Sequence, residues 1–186
     1  MITETDKINY IQSLDLHILS HGGVSSNYIA DYLTNNGIIV QSNIILHQNT
    51  CHYPYKLVPD IKTLYIYGDI YNAIISQYNR NLLHVNATKI HEMRDYDHKS
   101  LEYFIIKYPD DPIGIKKQFN NLKNTKNTAF LEYPYNIDTL NRAFTELNIN
   151  IDFKDFIIKA RTSTFDTTDL DHYPIILQKI IRAYLP

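Results

Sequence analysis

The sequence predicts an α/β protein, a three-layer sandwich around a central parallel sheet. Three observations carry that reading. A short apolar run followed by a turn and an amphipathic segment occurs three times in series, at residues 16–33, 63–80 and 128–147. Such alternation favours parallel strands joined by right-handed helical crossovers. The second run, Thr63-Leu64-Tyr65-Ile66-Tyr67, is rich in β-formers and apolar enough to be buried on both faces, as a central parallel strand requires. No internal repeat, low-complexity tract or linker divides the 186 residues, so a single domain over residues 1–186 is expected.

The elements follow in order. Residues 1–14 read as a short helix or an ordered arm. Leu16, Ile18 and Leu19 lead into Ser20-His21-Gly22-Gly23-Val24-Ser25-Ser26-Asn27. After that turn, Tyr28, Ile29, Tyr32 and Leu33 recur at helical spacing. Asn35-Asn36-Gly37 is a helix stop. Ile38-Ile39-Val40 and Ile44-Ile45-Leu46 are short β-like runs, and Thr50 to Pro54 is turn-like. Pro54 and Pro59 oppose regular structure between them. Gly68-Asp69 ends the central strand, and a helix from about Ile70 to Arg80 buries Ile70, Ala73 and Ile74.

Residues 81–100, with His84, His91 and His98 in a polar setting, read as a mobile excursion beside a site. Leu101 to Tyr108 is helical, Pro109-Asp110-Asp111-Pro112 interrupts it, and a second helix runs to about Lys123. Thr128 to Tyr133 is a strand, and Ile137, Leu140, Ala143, Phe144 and Leu147 form the face of the helix after it. The last helix is expected to take Asp171 as its N-cap and Pro174 in its first turn, with Leu177, Ile180, Ile181 and Tyr184 inward.

Composition sets further bounds. Hydrophobic content of 44% and charged content of 20% are ordinary for a soluble globular chain. A net charge of −2 with scattered Lys and Arg is not the footprint of a nucleic-acid binder. The start, MITETDKINY, is not a signal peptide, and no apolar run approaches the ~18 residues that span a bilayer. The single cysteine, Cys51, excludes an intramolecular disulfide and a Cys-based zinc cluster. A soluble cytoplasmic protein without nucleic-acid or membrane partners is expected.

The Gly22–Asn27 turn is the first place where chemistry is legible. Two glycines let the backbone approach a ligand, and the amides opening a helix favour an anion. Ser25, Ser26 and Asn27 can cap that helix or bond phosphate oxygens. No GK[ST] closes the loop, so it is not a Walker A sequence. A strand-to-helix turn whose glycines only relieve strain is the even alternative. Ligands of parallel sheets bind at the strands' carboxyl ends, an edge that would hold His21–Asn27, Gly68-Asp69 and Glu132-Tyr133.

Three stretches together resemble the P-loop sulfotransferases. They are the Gly22–Asn27 turn; the run Thr50-Cys51-His52-Tyr53-Pro54, Leu57-Val58-Pro59, Lys62 to Asp69 and Ile74-Ile75-Ser76-Gln77-Tyr78; and Leu131-Glu132-Tyr133 with its following helix. The family's counterparts are a phosphosulfate loop, His-x-Pro, Leu-Leu-Pro, a strand ending in Arg-Asn/Asp, Val-Ser-x-Tyr, and an Arg-Tyr-Glu-Asp-Leu region. The order matches over residues 15–150. The resemblance implies a P-loop NTPase/sulfotransferase-like fold. It also implies transfer of a sulfuryl group from 3′-phosphoadenosine 5′-phosphosulfate (PAPS) to the hydroxyl or amine of a small-molecule or carbohydrate acceptor, without a metal.

By that resemblance His52 is the general base, Ser76 holds the 3′-phosphate, and Gly22, Gly23, Val24, Ser25, Ser26 and Asn27 cradle the phosphosulfate. A histidine suits the base role because its ordinary pKa of about 6.5 leaves it largely neutral near pH 7. The chain departs from the family at its cations. No lysine stands in the turn, where His21 is nearest; Thr50 replaces the lysine before His52; Gly68 replaces the arginine ending the strand. Arg80, Lys159 and Arg161 are the substitutes the sequence offers. A non-catalytic nucleotide-binding or interaction protein on the same fold is the main alternative, and a P-loop kinase-like enzyme the weakest. Glu132 reads as a turn residue, and the histidines at 84, 91 and 98 match no zinc spacing.

Overall fold

A computed structural model describes residues 3–41, 50–93, 98–158 and 167–185. The expected run at 44–46 and the candidate cations Lys159 and Arg161 lie outside those residues. The three predicted strands form one parallel sheet: β1 (His17–Ser20), β2 (Thr63–Gly68) and β3 (Thr128–Tyr133), in the order β1-β2-β3. His17 pairs with Thr63 and Thr63 with Thr128, so all three strands point their carboxyl ends the same way. The expected strand at Ile38–Val40 is realised only as a parallel bridge from Val40 to Leu16. Beyond it the Gln41 side chain takes over the ladder, accepting from the Ile18 amide at 2.9 Å and donating to the Ile18 carbonyl.

Eight α-helices flank the sheet among the described residues: α1 (Glu4–Gln12), α2 (Ser26–Asn35), α3 (Ile70–Asn79), α4 (Leu83–Glu92), α5 (Leu101–Lys107), α6 (Ile115–Leu122), α7 (Ile137–Glu146) and α8 (Ile175–Arg182). Short polar side chains start several of them. Thr3 and Asp6 cap α1 reciprocally, Asn136 and Thr139 do the same for α7, and Asp69 accepts from the Asn72 amide at 2.7 Å to open α3. Gly37, at φ +82°, closes α2 as the sequence predicts.

The period-two alternation of the strands divides the core. Ile18, Leu64, Ile66, Ala129 and Leu131 face α2 and α7, where they meet Ile29, Leu33, Leu140 and Phe144. Leu19 and Tyr65 face the other way, against Ile11 of α1, Leu122 of α6 and Tyr53. Helices therefore cover both faces of the sheet, which is why its strands read as nearly continuous apolar runs. Burying each such side chain is worth roughly 1.5–3 kcal/mol. A third cluster joins α3, α4, α5 and α8 through Ile74, Ala87, Phe104, Leu177 and Ile181.

Two expectations are corrected. The excursion expected at 81–100 contains a regular helix, α4, whose Leu83, Ala87 and Ile90 are buried at i, i+4 and i+7. Glu92 at its end accepts from Lys107 at 2.8 Å and from the Tyr108 hydroxyl at 2.9 Å, tying α4 to α5. At the last helix, residues 167–172 form a separate 3-10 turn and Pro174 is the N-cap of α8, so Asp171 does not open it. Among the described residues no helix is long and apolar enough to cross a membrane.

Candidate functional site

A cleft of about 390 Å³ opens beside the carboxyl end of β1. Its walls come from three places far apart in the chain: the turn at Gly22, Gly23, Ser26 and Asn27; Cys51 and His52; and Arg80, Asn86 and Lys89. The sequence-predicted glycine turn and His52 are thus brought onto one surface. A neighbouring groove of about 330 Å³ shares Gly23, Ser26, Asn27 and Arg80 with it and adds Ser25, Tyr28 and Ser76. Ser76 therefore lies across the start of α2 from His52, with Arg80 reaching both spaces.

The turn has its own structural reasons. Gly22 and Gly23 have φ of +92° and +70°, the left-handed region that glycine enters without strain. A methyl group on Gly23 would stand 3.0 Å from the backbone of Ala73 in α3, and one on Gly22 would meet the Asn86 and Gln77 amides at 2.9–3.1 Å. Both glycines are required by close packing. Ser25 is the N-cap of α2, held at φ +57° with no side-chain cap bond, and Ser26 takes a 3.3 Å bond from Ser20. Val24 is fully buried in the main core, so its side chain is structural.

His52 sits in a 3-10 turn, Thr50–His52, and is 6% exposed. Its Nδ1–H donates to the Ser20 carbonyl at 2.8 Å, which leaves the lone pair on Nε2. Burial pushes its pKa down to about 3, and the positive charges of Lys89 and Arg80 add to the effect, outweighing the carbonyl contact. Gln118 of α6 secures the neighbourhood: its Nε2 donates to the Tyr53 carbonyl at 2.7 Å and to the Ser20 carbonyl at 3.3 Å. The Cys51 thiol is pushed up to about 12 by burial and is a poor nucleophile there.

His21 is not a replacement for the missing turn lysine. It is buried, its Nδ1 meets the Gly22 carbonyl at 3.0 Å, and its Nε2 accepts from the Gly68 amide at 3.3 Å. The neutral ring satisfies both contacts and ties the end of β1 to the end of β2. Positive charge comes instead from α4 and the end of α3. Lys89 is 7% exposed and lines the cleft. Arg80 is exposed and anchored through Nε to the Ser76 carbonyl at 3.0 Å. Asn86 is held by a 2.7 Å bond from its Nδ2 to Gln77 Oε1.

Lys89 and Asn86 are absent from the sequence reading because residues 81–100 were expected to be irregular. Read as a helix, Leu82, Val85, Asn86 and Lys89 fall at i, i+3, i+4 and i+7, one face, and all four line the cleft. That spacing was the available signal. Glu132 is exposed at the end of β3 and away from both spaces. His84 and His98 approach edge to face at 5.8 Å, but no group of three metal-ligating side chains exists among the described residues.

The fold and cleft together define an α/β protein with a positively charged, histidine-bearing recess at the carboxyl edge of its sheet. Compared with known proteins, the chain matches no family model, no curated sequence and no solved structure.

Proposed function

We propose that the cleft is the donor site of a sulfotransferase-like enzyme. PAPS would supply the sulfuryl group, and His52 would take the proton from an acceptor hydroxyl or amine, on an α/β sandwich of the P-loop NTPase/sulfotransferase kind. The observation that carries this reading is the convergence of the Gly22-Gly23 turn, His52, Arg80 and Lys89 on one recess. Two cations stand there although the sequence lacks both a turn lysine and a strand-end arginine. Each charge-assisted hydrogen bond contributes roughly 1.5–3 kcal/mol, so the pair replaces what those losses remove. Ser76 lies in the adjoining groove with Arg80, as a residue holding a second phosphate of the same nucleotide requires.

The residues present fit an anionic donor. Lys89, Arg80 and the amides opening α2 hold negative charge and favour its growth on a leaving phosphate oxygen. The Ser20 carbonyl fixes the His52 tautomer so that Nε2 is the accepting nitrogen. Burial and the two cations disfavour the charged form of His52 and make it a weak base. An anion placed among those groups reverses the sign of the local field and raises the basicity of Nε2. The base is thereby switched on by the donor.

The reading is tested by thermal denaturation with the desulfated product, 3′-phosphoadenosine 5′-phosphate. Ligand at about 100 times its dissociation constant stabilises the native state by ~2.7 kcal/mol. No shift at millimolar ligand overturns it. A second reading, a binding protein without catalysis, is favoured by the low pKa of His52, about 3. His52→Ala separates the two: it abolishes turnover with nucleotide binding retained in the first case, and in the second leaves nucleotide binding unchanged with no turnover to lose.

A further inference from the structure

We propose that the acceptor substrate of the cleft is a primary amine and that Asn86 selects it over an alcohol. The inference rests on the sulfuryl-transfer reading and names the class of nucleophile that the same site takes.

The cleft presents two hydrogen-bond acceptors among its cations. One is His52 Nε2, which keeps its lone pair because Nδ1–H is spent on the Ser20 carbonyl. The other is the side-chain oxygen of Asn86, a residue of α4 that is 4% exposed and lines the same cleft. Its Nδ2 donates to Gln77 Oε1 at 2.7 Å, so Oδ1 is the amide atom left for a ligand. Lys89 and Arg80 favour that orientation, since positive charge attracts the carbonyl end of an amide and repels its N–H end. The amide also adjoins the glycine turn, where a methyl group on Gly22 would meet Asn86 Nδ2 at 2.9 Å. Neither Oδ1 nor Nε2 has a hydrogen-bond partner among the described residues, and neither belongs to the unpartnered polar atoms that the fold seals from solvent. Acceptors on side chains this deeply buried are nearly always bonded, so the two atoms mark where a bound molecule supplies protons.

The number of protons decides between the nucleophiles. A primary amine attacking sulfur in line aims its one lone pair at sulfur and has two N–H groups to give, one to His52 Nε2 and one to Asn86 Oδ1. A hydroxyl has a single proton. Once that is given to His52, a lone pair of the alcohol oxygen faces Asn86 Oδ1, and the two oxygens repel. A site that holds a substrate N–H through a buried acceptor rejects the analogue lacking it, because the acceptor is then left unpaired. In the step itself the N–S bond forms as the S–O bond to the 5′-phosphate breaks. One N–H proton passes to His52 Nε2, and the second stays on nitrogen at Asn86 Oδ1. An N-sulfated amine and 3′-phosphoadenosine 5′-phosphate are left. Asn86 therefore sets specificity without taking a proton.

The test compares two product fragments of equal charge and similar shape, N-methylsulfamate and methyl sulfate, which differ only by N–H in place of oxygen. Each is titrated into the full chain at pH 7.5 in saturating 3′-phosphoadenosine 5′-phosphate. Binding is followed by NMR, with the His52 ring and Asn86 side-chain amide resonances locating the anion. N-Methylsulfamate is expected to bind the wild type about tenfold tighter than methyl sulfate. In Asn86→Ala, which lacks the acceptor, the two affinities are expected to converge; the wild-type comparison decides alone should that variant not fold. Failure of the nucleotide to bind overturns the donor-site reading and this inference with it. Nucleotide binding combined with equal affinities of the two anions, a preference retained in Asn86→Ala, shifts located elsewhere, or no binding of either anion overturns the inference and leaves the donor site standing.

Discussion

The Nδ1–H of His52 donates to the carbonyl oxygen of Ser20 at 2.8 Å, joining the 3-10 turn to the end of β1 across 32 positions of sequence. This bond places an imidazole next to the glycine turn, and it is buried. The burial that positions His52 also keeps it uncharged, and a pH dependence follows directly.

In the unfolded chain His52 takes up a proton below its ordinary value of 6.5, whereas the folded protein holds it neutral down to about 3. Between those values the unfolded state binds the extra proton. The stabilisation is fully present above pH 6.5 and is lost as the pH falls toward 3. At 1.36 kcal/mol per unit it amounts to about 5 kcal/mol. Urea unfolding of wild type and His52→Gln from pH 3.5 to 7.5 checks this. The wild type is expected to gain on the variant as pH rises, then hold a constant lead above pH 6.5. Burial lowers His91 in the same direction, but both proteins carry it and the comparison cancels it. Parallel curves would exclude His52 as the titrating group.

The two cations of the cleft differ in setting, and their removal is expected to differ too. Lys89 is nearly buried, where a charge is poorly screened, while Arg80 is exposed. Lys89→Met is expected to weaken binding of 3′-phosphoadenosine 5′-phosphate, and of pyrophosphate as a simpler probe, by about tenfold to a hundredfold. Arg80→Ala is expected to cost less and to lose most of its effect at 0.5 M salt. Calorimetric titration at two ionic strengths reads both. Unchanged pyrophosphate affinity in Lys89→Met would remove the lysine from the site.

The two glycine positions at the ends of α2 give a stability test of close packing. Gly23 and Gly37 both have positive φ, +70° and +82°. A methyl group at Gly37 meets open space, whereas at Gly23 it meets the Ala73 backbone at 3.0 Å. Gly37→Ala is expected to cost about 1 kcal/mol for the conformation alone. Gly23→Ala is expected to cost about 3 kcal/mol, because backbone cannot step aside as a side-chain tip can. Chemical denaturation of the two variants compares them, and equal costs would mean that α3 does not press on the turn.

The layered core was legible in the sequence because period and composition agree there. Leu64 and Ile66 are apolar on one side of β2 and Tyr65 and Tyr67 on the other, as a sheet covered on both faces demands. His52 and the glycine turn were legible as a pair through the Pro-bounded loop and the strand-to-helix change. Of the two cations, Arg80 was legible and Lys89 was not. Lys89 sits on a helix whose apolar face is only Leu83, Ala87 and Ile90, with Asn86 and Thr88 buried among them, so its periodicity was diluted by polar residues. Neither was Gln41, whose amide completes the sheet beside Ile18 in place of a strand. A side chain doing the work of backbone leaves no pattern in apolar spacing.

Gln118 supplies a prediction of opposite sign to that of His52. It is fully buried, and its Nε2–H₂ group donates to the carbonyls of both Ser20 and Tyr53, the residues that bracket the His52 contact. Gln118→Leu removes both donors at similar size, and the Tyr53 carbonyl is left without this bond. A loss of about 1–3 kcal/mol is expected, nearly independent of pH. Gln118→Glu keeps the shape but offers two carbonyl oxygens a carboxyl group, which satisfies one of them only while protonated. Burial without a cation at that point raises the carboxyl's pKa above its ordinary value near 4.3. The folded state then binds the proton that the unfolded state releases, a contribution present in acid and lost as pH rises above ~4.3. His52 is retained in the variant and acts in the opposite direction up to pH 6.5, so the variant is expected to fall progressively behind the wild type above ~4.3. Urea midpoints of Gln118→Glu that rise with pH in parallel with the wild type would show that the side chain had swung away from Ser20 and Tyr53, and that the His52 turn is held without it.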